Sequence, residues 1–161
     1  LADALLGDRT KLRRMGHAAL ERFAQRPEVD RTRLAIVGYC MGGTIGLEMA
    51  RNSENVQGIV CFHGQLDTPM PAATGAIKAK LLICNGSEDP VVPESHVHLF
   101  SEEMRACHAD WQIITYGNTY HSFTDWTADG SNFYASLYNE QSDRRSWQAM
   151  RSFLEEVFHR E

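Results

Sequence analysis

Three short runs carry residue types able to do nucleophilic chemistry. Gly38-Tyr39-Cys40-Met41-Gly42-Gly43 sets a cysteine among glycines. Gly86-Ser87-Glu88-Asp89-Pro90-Val91-Val92-Pro93 offers two adjacent carboxylates, and Tyr120-His121-Ser122-Phe123 offers an imidazole. A thiol attacks as its thiolate, and a neighbouring base or a helix N-terminus promotes that form. Gly-x-Cys-x-Gly has the pattern of a nucleophile elbow, with Cys where Ser is usual. An elbow needs a strained, sharply turned nucleophile, with glycines two residues to either side keeping the flanking chain from clashing. It lifts the sulfur to a helix N-terminus, where the dipole and free N–H groups favour the thiolate. The Met41 N–H then stands as one oxyanion-hole donor. The elbow requires the chain order nucleophile, acid, base, and Cys40, Asp89 and His121 obey it. In that arrangement His121 exchanges a proton with Cys40, while Asp89 accepts the other imidazole N–H. Each residue also has a plain alternative. Cys40 fits a buried thiol in a Gly-rich turn or a phosphate-cradling loop, Asp89 fits a turn before Pro90 with Glu88 as rival acid, and His121 fits a surface loop.

These residues need elements to position them. Residues 9–24 read as an amphipathic helix, with Leu12, Met15, Ala19, Leu20 and Phe23 as its apolar stripe and Arg13, Arg14, Glu21 and Arg22 mostly opposite. Leu34-Ala35-Ile36-Val37 is a short apolar run suited to a strand buried on both faces, and a helix over 42–51 follows with Asn52 as its stop. The rhythm continues with a strand over 56–62, a loop to 79, a strand over 80–84, a helix over 94–107 and a strand over 111–116. A long aromatic and polar loop over 117–140 precedes a closing helix over 141–159, with Trp147, Met150, Phe153, Leu154 and Val157 as its buried stripe. Strands alternating with helices predict a mainly parallel sheet, which places ligands beyond the carboxyl ends of its strands. All three candidate residues follow such ends.

With 161 residues, 43% hydrophobic and 23% charged, the chain has ordinary globular composition, which excludes a disordered or collagen-like chain. The net charge of −5 gives no basic bias, so neither nucleic acid nor an anionic membrane is an expected partner. No apolar run approaches the length of a membrane-spanning helix. Cys40, Cys61, Cys84 and Cys107 form no Cys-x-x-Cys, and three of them sit in or just after apolar runs, so free thiols and a reducing, cytoplasmic setting are expected. His96 and His98 alternate on a helix and splay apart, so no metal site is expected.

Other residues are candidates for substrate binding. His63 follows the second strand, as a contact at the site mouth or as a polar loop residue. Tyr39 adjoins the nucleophile, as packing or contact. Trp126, Phe133, Tyr134 and Tyr138 lie on the long loop, walling an acyl pocket or covering the core. Asp143, Arg144 and Arg145 read as the solvated first turn of the last helix, and Pro69-Met70-Pro71 as a lid edge or a rigid surface connection.

The three motifs, at separations of 49 and 32 residues, resemble the dienelactone hydrolase family of α/β-hydrolases across nearly the whole chain. The resemblance implies the C-terminal portion of an α/β-hydrolase fold, with four mainly parallel strands and flanking helices forming a single domain over 1–161. It implies a Cys40–His121–Asp89 triad cleaving a small-molecule ester or lactone through an acyl-enzyme, without metal or organic cofactor. Members acting on dienelactone have an Arg four residues beyond the catalytic His, holding the substrate carboxylate; here that position is Asp125, which argues against an anionic lactone. The family's fold also has an N-terminal half that supplies a second oxyanion donor and an acidic residue touching the resting cysteine.

With Leu1 in place of Met, the chain is expected to be roughly two thirds of a natural one, judged from typical sizes of such domains. The strand at 33–38, central in the inferred fold, would then expose an unpaired edge, open to association or to the missing N-terminal segment. Without that segment the fragment is expected to have little or no activity. The rival reading is a non-catalytic or redox-sensing thiol protein on the same fold.

Overall fold

The computed structural model describes residues 5–159. Its centre is a four-stranded parallel sheet in the order β1 (Ala35–Tyr39), β2 (Gly58–Phe62), β3 (Lys80–Gly86), β4 (Trp111–Tyr116). Four helices connect and cover it: α1 (Arg9–Ala24), α2 (Met41–Arg51), α3 (Glu94–Cys107) and α4 (Glu140–Phe158). Strand β2 is buried along its whole length and β3 nearly so, as continuous apolar runs between two helical layers must be. Alternate residues feed different cores. Ile59, Cys61, Leu81 and Ile83 join Leu47, Phe100 and Met104 on the face of α2 and α3. Val60, Phe62, Leu82 and Cys84 join Phe123, Met150 and Phe153 on the face of α4. The alternating strands and helices of the sequence reading are all present, and the architecture is that of an α/β-hydrolase.

The boundaries depart from the sequence in instructive ways. Strand β3 runs two residues past Cys84, because Asn85 and Gly86 pair with Thr115 and Tyr116 although neither is apolar. Strand β2 begins at Gly58, two residues later than the apolar pattern suggests.

Two helix faces also need correction. On α1 the buried residues are Arg9, Leu12, Gly16 and Ala24, while Met15 and Phe23 are exposed. The helix rests on α2 where Gly16 lets it approach: a Cβ there would stand 2.4 Å from Met49 Sδ. That contact turns Met15, the neighbouring residue, off the core, whereas Phe23 shares the face of Gly16 and is exposed near the end of the helix. On α4, Met150 and Phe153 are buried, but Trp147 is 53% exposed and borders a surface hollow.

Arg13, assigned by pattern to the solvent side of α1, turns inward because Glu48 of α2 is fully buried. Glu48 Oε2 accepts from Arg13 Nε at 2.8 Å, and its Oε1 accepts from Arg51 Nη1 at 3.0 Å. Arg51 also donates to the Leu66 carbonyl at 2.7 Å and to Glu103 of α3 at 2.8 Å, with Phe100 beneath its guanidinium. One buried charge cluster thus ties α1, α2, α3 and the segment after β2 together.

At the sheet edge, Val37 and Tyr39 of β1 lie on the face that α4 covers over β2 and β3, yet are 41% and 43% exposed. Among the described residues β1 has a strand partner on one side only.

Removing Glu48 takes from Arg13 its carboxylate and from the buried Arg51 one of its two, so Glu48→Ala should cost about 3–5 kcal/mol of stability. Urea unfolding monitored by circular dichroism measures this; a loss below about 1 kcal/mol would show that water screens the cluster.

Candidate active site

Cys40 occupies the junction between β1 and α2. Its N–H donates to the Phe62 carbonyl at 3.0 Å, extending the sheet pairing, and its carbonyl accepts from Thr44 N at 3.2 Å, opening the helix. Between those bonds its backbone sits at φ 49°, ψ −122°, a conformation L-residues avoid. The turn closes so tightly that a Cβ on Gly38 would fall 2.2 Å from the Gly42 carbonyl oxygen. The second tight glycine is Gly43, whose Cβ would meet Cys61 Sγ at 2.7 Å; Gly42, the position the motif names, has open space. The side-chain clearance expected two residues after the nucleophile is therefore needed three residues after it.

His121 bridges the other two residues. Its Nδ1 donates to Asp89 Oδ2 at 2.8 Å, and its Nε2 lies 3.3 Å from Cys40 Sγ. Asp89 is buried at the end of β3, and its Oδ1 accepts from Val91 N at 2.8 Å. That geometry separates the two neighbouring carboxylates, since Glu88 points to solvent and accepts from Ser87 Oγ. The loops of the acid and the base touch through backbone: Glu88 N donates to Thr119 O at 2.9 Å, and a Cβ on Gly86 would fall 2.0 Å from that same oxygen.

The long loop bearing His121 is pinned at several points. Thr119 Oγ1 shares a hydrogen bond with Ser142 Oγ of α4 at 2.8 Å, Phe123 is fully buried, and Leu137 N donates to the His121 carbonyl at 3.0 Å. Phe133 lies edge-on to the His121 ring at 6.5 Å, whereas Tyr134 is largely exposed.

The electrostatics favour a thiolate–imidazolium pair. The hydrogen bond from His121 is the largest influence on Cys40 and, with the Met41 N–H, lowers its pKa despite partial burial. Burial works against a charge on His121, but its bonds to Asp89 and Cys40 outweigh that and raise it to about 9. The other thiols behave oppositely: burial pushes Cys61 and Cys84 up to about 12. All four cysteines are free thiols, and Cys40 alone is exposed.

His63 lies deeper than a mouth residue. It is buried, at φ 40°, with Nε2 sharing a 2.9 Å hydrogen bond with Thr124 Oγ1 and its ring 4.9 Å from that of His121. Its Nδ1 is buried without a partner. Burial, then the charge of His121, depress its pKa to about 4, so it is neutral beside a cationic neighbour. Tyr39 stacks on Phe62 at 4.7 Å and 6°, with its outer part facing a hollow of about 520 Å³. Cys40, His63, Trp126 and Asp125 border the same hollow. So do Asp143 and Trp147, which the sequence pattern places in solvent and in the core. Their i, i+4 spacing, which puts them on one helix face, was the signal available. Among the described residues no group of three or more His, Cys, Asp or Glu side chains could hold a metal ion, and no helix is long and apolar enough to cross a membrane.

An uncharacterised protein of Caenorhabditis elegans is 34% identical over 92% of this chain and 95% of its own length. A putative carboxymethylenebutenolidase of Yersinia pestis is 30% identical over 89% of this chain, which spans 53% of that protein. The crystal structure of a dienelactone hydrolase-like promiscuous phosphotriesterase from metagenomic libraries superposes with a TM-score of 0.92 at 36% identity, over 98% of this chain and 66% of that one. Residues 3–158 match the Dienelactone hydrolase family, and with that match over almost its full length, the chain belongs to it.

Proposed function

We propose that the protein hydrolyses a small-molecule ester or lactone through an acyl-cysteine intermediate. The observation that carries this reading is His121 bridging Asp89 and an exposed Cys40 at the first turn of α2. In the first half-reaction the Cys40 thiolate adds to the carbonyl carbon, and negative charge develops on the carbonyl oxygen. The Met41 N–H at the helix start is one donor for that oxygen. His121 gives its Nε2 proton to the departing alkoxide, so the leaving group exits as an alcohol. In the second half, neutral His121 takes a proton from water, which attacks the thioester and releases the acid. Asp89 holds the imidazole in the tautomer that presents Nε2 to the sulfur throughout. The dienelactone hydrolase-like names of the relatives support ester or lactone chemistry.

Hydrolysis of nitrophenyl esters and a lactone panel by the full-length protein tests this proposal directly. Cys40→Ala and His121→Ala should each lower kcat/KM by about 10³-fold or more, and Asp89→Asn by about 10²–10⁴-fold. Full activity in Cys40→Ala would defeat the mechanism.

The pH dependence of iodoacetamide labelling reads the ion pair separately. The Cys40 pKa is lowered, so labelling persists below the midpoint of an ordinary thiol, about 8.5, and fades as pH falls through the depressed value. His121→Ala removes the lowering contact, so its midpoint moves up to about 8.5 or beyond. Identical midpoints in the two proteins would remove the activating role from His121.

A further inference from the structure

The hollow beside Cys40 is unusual in its wall. Three large aromatics border it: Tyr39, Trp126 and Trp147, exposed by 43%, 84% and 53%. Exposed tryptophans beside a nucleophile form a contact surface rather than a core. Two carboxylates, Asp125 and Asp143, border the same space, and no lysine or arginine does among the described residues. Asp125 is fixed by Thr127, whose N–H and Oγ1 donate to its Oδ1 at 2.9 and 2.7 Å. Asp143 accepts from Tyr138 Oη at 3.2 Å, and its charge reaches Tyr39. The His121–Cys40 pair is neutral in sum, so neither member offsets these carboxylates. His63 brings no positive charge.

A wall of aromatic faces and carboxylates without a fixed cation attracts positive charge and repels negative charge. Ring faces carry negative potential that binds ammonium groups, most strongly for tryptophan. A carboxylate on the substrate would meet only like charge here, an unfavourable juxtaposition. We propose that the substrate carries a positively charged group, a quaternary or protonated amine, seated between Trp126, Trp147 and the Asp125 and Asp143 carboxylates while its ester lies at Cys40. This assignment rests on the hydrolase reading above and deepens it.

Two measurements on the full-length protein, N-terminal segment included, test it, one needing turnover and one not. In the first, kcat/KM is compared for acetylcholine, its neutral isostere 3,3-dimethylbutyl acetate, and the anionic O-acetylglycolate. The cation should lead the isostere by about tenfold, the worth of a partly desolvated cation–π contact, with the anion last. In the second, Cys40 is modified with a trimethylammonium-bearing and a sulfonate-bearing methanethiosulfonate. Each forms a mixed disulfide and releases sulfinate. The cation-to-anion rate ratio should exceed that of 2-mercaptoethanol by about tenfold and shrink with added salt. It should also shrink in the isosteric Asp125→Asn/Asp143→Asn double variant. A ratio no larger than that of 2-mercaptoethanol, or equal kcat/KM on the choline ester and its isostere, overturns the cation assignment. A cation-selective Cys40 in a protein that turns over no ester leaves the charge preference standing and overturns the hydrolase reading instead.

Discussion

The backbone of Cys40 is the constraint around which the molecule is arranged. A non-glycine residue at φ 49°, ψ −122° carries strain on the order of 1–3 kcal/mol, which surrounding structure must hold in place. The holding is done from both sides. Its N–H is tied to β2 and its carbonyl to the first turn of α2, so the residue cannot relax without breaking either the sheet edge or the helix start. The glycines follow from that demand. Gly38 and Gly43 admit the turn itself, and Gly64 admits the neighbouring chain, since a Cβ there would lie 2.7 Å from Cys61 Sγ and 2.9 Å from the Cys40 carbonyl. Cys61 fits between Gly43 and Gly64 because a thiol is small and apolar.

Charge is placed with similar economy around the sulfur. His121 is held protonated by its two partners, while His63, less than 5 Å away ring to ring, is held neutral by burial. Two imidazoles of the same chemistry are thus held in opposite states by what surrounds them. A neutral His63 spares His121 a second cation at close range and leaves the imidazolium free to face the sulfur.

Much of this was legible in the sequence. Strand and helix order followed from apolar runs separated by turn residues, and Cys40, Asp89 and His121 stood at the ends of three different strands, where parallel sheets assemble sites. What stayed hidden depends on partners distant along the chain. Arg13 looked solvent-facing because the residue that draws it inward, Glu48, lies 35 positions away. Asn85 and Gly86 looked like loop because their strand pairing comes from β4. Trp147 looked like core because its helix is amphipathic, yet that helix runs past the sheet end and its first turns overlook the hollow. Asp89 and Glu88 were indistinguishable as neighbours until burial and the 2.8 Å contact to His121 separated them.

The charge cluster on α2 has a mechanical side. The helix has 11 residues and so is about 16 Å long, with Cys40 at its head and Arg51 at its tail. Arg51 is bolted to Glu48, Glu103 and the Leu66 carbonyl, so the tail moves only if α3 and the chain after β2 move with it. A rod fixed at one end transmits its orientation to the other. Angular play of even a few degrees at Arg51 would translate into a displacement of around an ångström at the sulfur. Ion pairs remote from the reacting atoms thereby add a second anchor, at the tail, to the one that Cys40 has in β2.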